Sequence, residues 1–166
     1  MVVSDVDEKV PAGLKPEEIV TRLAAEKSAV VAKTLTEGIV LGADTIVVHK
    51  GQVLGKPAHQ DEAAAMLSRL QGDSHEVFTG ITLIDAGTGK LVQGHERTTV
   101  FFRSLSAAEI RRYVATDEPM DKAGAYGAQG IGASFIAHIV GSYSNVVGLP
   151  LSKLTMMLKE FGYEIP

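Results

Sequence analysis

The chain contains no cysteine and no tryptophan. Without thiols, disulfide scaffolds, cysteine-based zinc sites and thiol nucleophiles are all excluded. No apolar run reaches the roughly 18 residues that a membrane-spanning helix needs. Excess positive charge is lacking too: 16 Lys+Arg stand against 20 Asp+Glu, a formal net charge of −4. That balance argues against nonspecific nucleic-acid binding, although it leaves room for local basic clusters. The first ten residues, MVVSDVDEKV, show no basic stretch followed by an apolar one and so no secretory signal. A cytoplasmic protein is the expectation. There is also no internal repeat, low-complexity tract or linker.

What is present fits one globular domain over residues 1–166. The chain is 45% hydrophobic and 22% charged, with a mean hydropathy of +0.13. It is long enough to bury a sizeable core and too apolar to be disordered.

Lys15 to about Leu35 reads as a helix, with Pro16 in its first turn and Glu17 and Glu18 complementing the dipole. Ile39–Val48 is apolar on both faces, as in a buried strand, and is interrupted by Gly42-Ala43-Asp44-Thr45. Lys50-Gly51 turns into a short strand at Gln52–Leu54. Asp61–Leu70 reads as a helix with Asp61 as N-cap and Gly72 beyond its end. His75–Ile84 and Leu91–Arg103 predict an antiparallel hairpin turning at Ala86–Gly89. Ser106 and Glu109 form a capping box that opens a helix to about Ala115. Glu118–Gly132 is glycine-rich and lacks a clear period. Ser134–Val140 reads as a strand, Gly141–Asn145 as a loop and Leu149–Phe161 as a closing helix. The mixture predicts an α/β or α+β class with a mixed sheet. It does not specify the strand order.

Four segments could carry chemistry. Asp44 is a carboxylate within an apolar strand, beside residues small enough to admit a ligand. It reads as a general base or metal ligand, or else as an acid that satisfies backbone donors. Lys56, between Gly55 and Pro57, could present an ammonium group to phosphate or simply face solvent. Asp121-Lys122-Ala123-Gly124-Ala125-Tyr126-Gly127-Ala128-Gln129-Gly130 permits close backbone approach to a ligand, yet has neither P-loop nor G-x-G-x-x-G order. Gly141–Asn145 with Val146–Leu151 reads mainly as structural, Ser144 and Asn145 capping or hydrogen-bonding and Pro150 entering the last helix. Asp5, Asp7 and Glu8 could hold a hard divalent cation or form a solvated acidic end. The histidines, at 49, 59, 75, 95 and 138, show no metal spacing and no paired carboxylate. A buried acid, isolated lysines and glycine-rich backbone are together the groups that metal-assisted phosphoanhydride hydrolysis uses.

These motifs occur in the order seen in a known family. Gly42-Ala43-Asp44-Thr45, Gly55-Lys56-Pro57, Thr79-Gly80, Asp121–Gly127, Gln129-Gly130 and Asn145–Leu151 together resemble the Maf family of nucleoside triphosphate pyrophosphatases. The resemblance runs from Ser4 to the C-terminal helix. It implies an elongated α/β body like that of the inosine triphosphate pyrophosphatases, with a curved mixed sheet flanked by helices and a cleft between two lobes. It also implies hydrolysis of a nucleoside triphosphate between the α- and β-phosphates with a divalent metal, Mg²⁺ or Mn²⁺. The family's general base falls on Asp44. Thr45 and Gln129 fall on positions tied to substrate choice, and Lys27, Lys56 and Lys122 on lysines that contact phosphates or the base. Asp7, Glu8 and Asp44 are the metal-binding candidates.

Lys122 with Gln129 is similar to the branch acting on dTTP and UTP. A glutamine amide is both donor and acceptor, and so can pair with the O4 and N3–H edge of thymine or uracil. Modified pyrimidine triphosphates such as 5-methyl-UTP or pseudouridine triphosphate present a similar edge. The resemblance also makes a homodimer plausible. It offers one non-enzymatic alternative, a nucleotide-binding regulator of septum formation and cell division.

One departure stands out. Family members begin with a strand and an S-x-x-P-R-R loop, whereas the Arg-Arg pair of this sequence is Arg111-Arg112, in a predicted surface helix. The domain is therefore expected to be N-terminally incomplete relative to the family, with Val2-Val3 the end of an interrupted strand. Planar, charge-assisted contacts from such a loop to a triphosphate would then be lacking.

Overall fold

The computed structural model of the chain describes residues 13–165. Val2-Val3, Asp5, Asp7 and Glu8 lie outside the described residues. The β-branched run after residue 38 becomes the long strand β1 (Ile39–His49), which turns at Lys50-Gly51 into β2 (Gln52–Leu54). Both turn residues have positive φ, 49° and 78°, as a tight hairpin requires. Strands β3 (Ser74–Asp85), β4 (Leu91–Phe102) and β5 (Ile136–Val140) complete an open antiparallel sheet in the order β2-β1-β3-β4-β5. The helices are α1 (Pro16–Ala32), α2 (Gln60–Leu70), α3 (Ala107–Val114), the one-turn α4 (Tyr143–Val146) and α5 (Leu151–Lys159). The expected α/β class, a sheet flanked by helices, is thus observed, but among the described residues the sheet is antiparallel rather than the mixed one expected. No helix among the described residues is long and apolar enough to cross a membrane.

The chain divides into two compact units, and β1, β3 and β4 contribute residues to each. The first comprises residues up to Thr45, Phe78–Glu96 and the chain from Gly148 onward. Here α1 lies directly on bare backbone. A Cβ added at Gly42 would stand 2.4 Å from the Ala24 carbonyl oxygen, and one at Gly80 would stand 2.3 Å from the Val20 carbonyl. Ile81, Leu83 and Met157 form a buried cluster, packed by Leu154, Leu158 and Phe161.

The second unit comprises Ile46–Val77 and Arg97–Val147. Its core joins Leu67 and Leu70 of α2, Val77, Val100 and Phe102 of the sheet, Tyr113 of α3, and Tyr126 and Phe135. Edge-on aromatic contacts tie it together, His75 lying 4.9 Å from Phe102 and 5.3 Å from Tyr126 between centroids.

Several boundaries differ from the sequence reading for identifiable reasons. Helix α1 stops at Ala32 because its end tightens: Thr34 and Leu35 donate to carbonyls three residues back, at 3.0 and 3.2 Å. Asp61 is not the cap of α2. The His59 ring takes that role, its Nδ1 accepting from the Glu62 N–H at 3.2 Å. The segment read as a loop at Gly141–Asn145 contains α4, capped by Ser142 rather than by Ser144 or Asn145. The Ser106–Glu109 capping box forms as expected, with reciprocal bonds of 3.2 and 2.8 Å.

Candidate functional site

In the first unit, β1 carries Asp44 and Thr45 on adjacent positions, while α1 carries Lys27. The close approach at Gly42 sets the distance between helix and strand. Lys27 Nζ thereby donates to Asp44 Oδ1 at 2.5 Å, with side-chain exposures of 23% and 10%. At such low exposure an ion pair interacts far more strongly than one in open water. Thr45 Oγ1 lies 2.9 Å from Thr79 Oγ1 on β3. Gly148, at φ 110°, brings backbone so near that a Cβ there would stand 3.5 Å from Thr45 Oγ1. Asp44 is therefore a hard-oxygen donor already charge-paired with a lysine, and Thr45 presents a hydroxyl beside it.

The second unit holds the other three candidates. Lys56 is exposed on the Gly55–Pro57 loop, which the Gly124 N–H ties down by donating to the Gly55 carbonyl at 3.0 Å. Lys122 Nζ donates to Asp121 Oδ1 at 2.6 Å. That bond, helped by the charge on Lys56, holds the Asp121 carboxyl below the usual carboxylate range. Lys56, Lys122 and Asp121 thus form a cluster with one excess positive charge, suited to an anion. Gln129 is exposed a few residues further on. Gly124 and Ala125 both have positive φ, 70° and 60°, and the strain at Ala125 is held in place by its complete burial.

A divalent cation needs oxygen donors, and Asp44 supplies one. Among the described residues there is no cluster of three or more His, Cys, Asp or Glu side chains around one point. Mg²⁺ commonly takes one or two carboxylates and completes its shell with substrate phosphates and water, and a lone Asp44 fits that pattern. The candidates Asp7 and Glu8 lie outside the described residues.

Other polar groups were missed or misjudged at the sequence level. His49 does have a carboxylate neighbour, with Nε2 lying 3.0 Å from Asp73 Oδ2. His75 is buried and pairs through Nε2 with the Tyr126 hydroxyl at 2.8 Å. Burial pushes its pKa down to about 4, aided by the neighbouring His49 and opposed by Asp73. Asn145 is fully buried, its amide donating to the Val77 carbonyl at 3.1 Å and to Thr98 Oγ1 at 3.0 Å. Its role within this unit is to stitch β3 to β4, in keeping with the structural reading of that motif. Arg111 and Arg112 are both exposed on α3. No spacing marks Glu118 in the sequence. It accepts from the N–H groups of Ile131 (2.9 Å) and Gly132 (3.0 Å) and from the Tyr113 hydroxyl (2.9 Å). Its burial opposes ionisation, but these donors outweigh that and hold its pKa below the ordinary glutamate value.

Comparison with known proteins adds to this geometry. The model of a family described as Maf-like protein matches residues 1–161. A protein of Pelotomaculum thermopropionicum named dTTP/UTP pyrophosphatase is 54% identical over 165 residues, covering 99% of this chain and 86% of its own length. Proteins of the same name from Desulforamulus reducens and Bacillus cereus are 53% and 47% identical, each covering 85% of its own length. The matches span 98% and 99% of this chain.

Proposed function

The chain belongs to the Maf-like family, and on that premise we propose that it hydrolyses dTTP and UTP to the nucleoside monophosphate and pyrophosphate. The near-complete match to relatives that bear the name dTTP/UTP pyrophosphatase carries this reading. The half-buried Lys27–Asp44 pair supports its chemistry. Water adds to phosphorus, the α–β phosphoanhydride bond breaks, and pyrophosphate leaves with the bonding electrons. The attacking water gives up a proton, which Asp44 takes as general base. Lys27 pairs with Asp44 and orients it. Lys56 and Lys122 neutralise phosphate charge, and Thr45 and Gln129 act in substrate choice.

A divalent metal, Mg²⁺ or Mn²⁺, would be held by Asp44, with Asp7 and Glu8 as further candidates. When bound it supplies charge neutralisation for the triphosphate and polarises water. Gln129 offers the donor and acceptor that a thymine or uracil edge requires, so pyrimidines that keep this edge when modified are further candidate substrates.

The test is a substrate panel. The protein is incubated with dTTP, UTP, dCTP and 7-methyl-GTP in Mg²⁺ or Mn²⁺, and pyrophosphate is measured. Release from dTTP and UTP above the other two is expected. Absence of pyrophosphate from every triphosphate would refute the enzymatic reading.

A further inference from the structure

The exposed segment around Gln129 is held from both sides. Before it, the Gly127 N–H donates to the Tyr113 hydroxyl at 3.0 Å, and the Ala128 carbonyl accepts from the Tyr143 hydroxyl at 3.2 Å. After it, the N–H groups of Ile131 and Gly132 converge on the two oxygens of Glu118, at 2.9 and 3.0 Å. Tyr113 closes the circuit by donating its own proton to Glu118 Oε1 at 2.9 Å. One carboxylate and one phenol therefore take three backbone N–H groups of residues 127–132.

The glycines in this stretch fit the same arrangement. A Cβ at Gly130 would stand 2.5 Å from Glu118 Oε2, and one at Gly127 would stand 3.0 Å from Oε1. The Glu118 carboxylate occupies the space that side chains at those positions would need. Ionised, it is an acceptor only, so it matches the three donors that face it. Tyr113 is itself fixed by the core, packed edge-on against Phe135 at 4.8 Å between centroids. The anchor is thus built on the rigid part of this unit, and it reaches out to an exposed loop.

We propose that Glu118, seated by Tyr113, is a specificity-positioning residue: it fixes the backbone on either side of Gln129 and so the direction in which that amide meets the base. The inference rests on Gln129 reading the pyrimidine. It assigns Glu118 no contact with substrate and no part in the proton transfer.

The test compares dTTP with dCTP, whose base exposes an amino donor and a ring-nitrogen acceptor where thymine exposes O4 and N3–H. Wild type, Glu118→Gln, Gln129→Ala and the double variant are assayed for kcat and KM. Glutamine is nearly isosteric, but its amide N–H₂ confronts a donor wherever the second carboxylate oxygen accepted, so at least one of the three bonds is lost. For Glu118→Gln, a rise of about tenfold in dTTP KM is expected, a smaller change in kcat, and a fall of about tenfold in the dTTP:dCTP ratio of kcat/KM. Gln129→Ala should lower the ratio in wild type and add little in the Glu118→Gln background. If Gln129→Ala lowers the ratio and Glu118→Gln leaves it unchanged, the positioning role is wrong and base reading stands. An equal kcat loss for both triphosphates with the ratio intact also overturns the positioning role. If Gln129→Ala leaves the ratio unchanged, base reading falls and this inference falls with it. Should Glu118→Gln fail to fold, Tyr113→Phe removes one donor to Glu118 and the acceptor for Gly127 while keeping the packed ring. A lowered ratio in that variant supports the proposal and an unchanged one overturns it.

Discussion

Asp44 and Lys27 illustrate what one short contact can accomplish. A carboxylate on a mostly buried strand is costly unless compensated, and the ammonium at 2.5 Å compensates it. Together the two groups put a carboxylate–ammonium pair in a poorly solvated place. Replacing Lys27 with methionine keeps the stem's packing and removes the charge. Its expected effect is a loss of dTTP turnover of about tenfold or more, since the acid loses its partner. A fall in kcat with dTTP KM little changed would show that the lost charge acts at the chemical step rather than in binding. Unchanged activity would separate Lys27 from the chemistry. Asp44 was evident in the sequence because a charged residue inside an apolar run demands a reason. Glu118 was not, because two of its three partners are backbone N–H groups thirteen and fourteen residues away, and backbone donors leave no mark in a sequence. The carboxylate beside His49 was hidden by distance: Asp73 lies 24 residues on and meets it only through the fold.

At the scale of elements, two glycines let α1 sit on the sheet, and through that packing they place Lys27. Gly80→Ala would set a Cβ 2.3 Å from the Val20 carbonyl. Backbone must shift, and overpacking of this kind costs about 1–3 kcal/mol. A lowered urea midpoint is expected, measured by circular dichroism, with dTTP turnover reduced as well because α1 moves. A midpoint equal to wild type would show that the helix is not held where described. The helices and strands themselves were largely legible, since apolar periodicity, the Ser106–Glu109 box and the Lys50-Gly51 turn are local signals. The exceptions are instructive. The cap of α2 is a histidine ring, a residue outside the usual capping set. The stretch from Glu118 to Phe135 shows no period because it is built of short 3-10 turns around positive-φ residues and side-chain anchors. Strand order was illegible because pairing between distant strands carries no local signal.

For the whole molecule, the buried His75 couples stability to pH. Its pKa in the folded state is down at about 4, against 6.5 for the unperturbed side chain. Between these values the unfolded chain takes up a proton that the folded chain does not, so stability falls as pH drops from 6.5 toward 4 and is unaffected by this group above that window. Over the full interval the loss is about 3 kcal/mol. Glu109, held down to about 2 chiefly by its hydrogen bonds to Ser106, contributes in the same direction only below its unfolded value near 4.5. Urea unfolding between pH 7.5 and 5 therefore stays above the range in which Glu109 acts. His75→Gln should flatten the pH dependence in that range, and a slope as steep as that of wild type would assign the effect to another group.

The measurement that bears most directly on the central claim is the stoichiometry of products from dTTP, for wild type and Asp44→Asn side by side. Wild type should give dTMP and pyrophosphate in equal amounts without free phosphate. Asp44→Asn should still bind dTTP, but release pyrophosphate slower by about 10²- to 10⁴-fold, the usual worth of a positioned general base. Release of orthophosphate in place of pyrophosphate, or undiminished turnover by Asp44→Asn, would contradict the account.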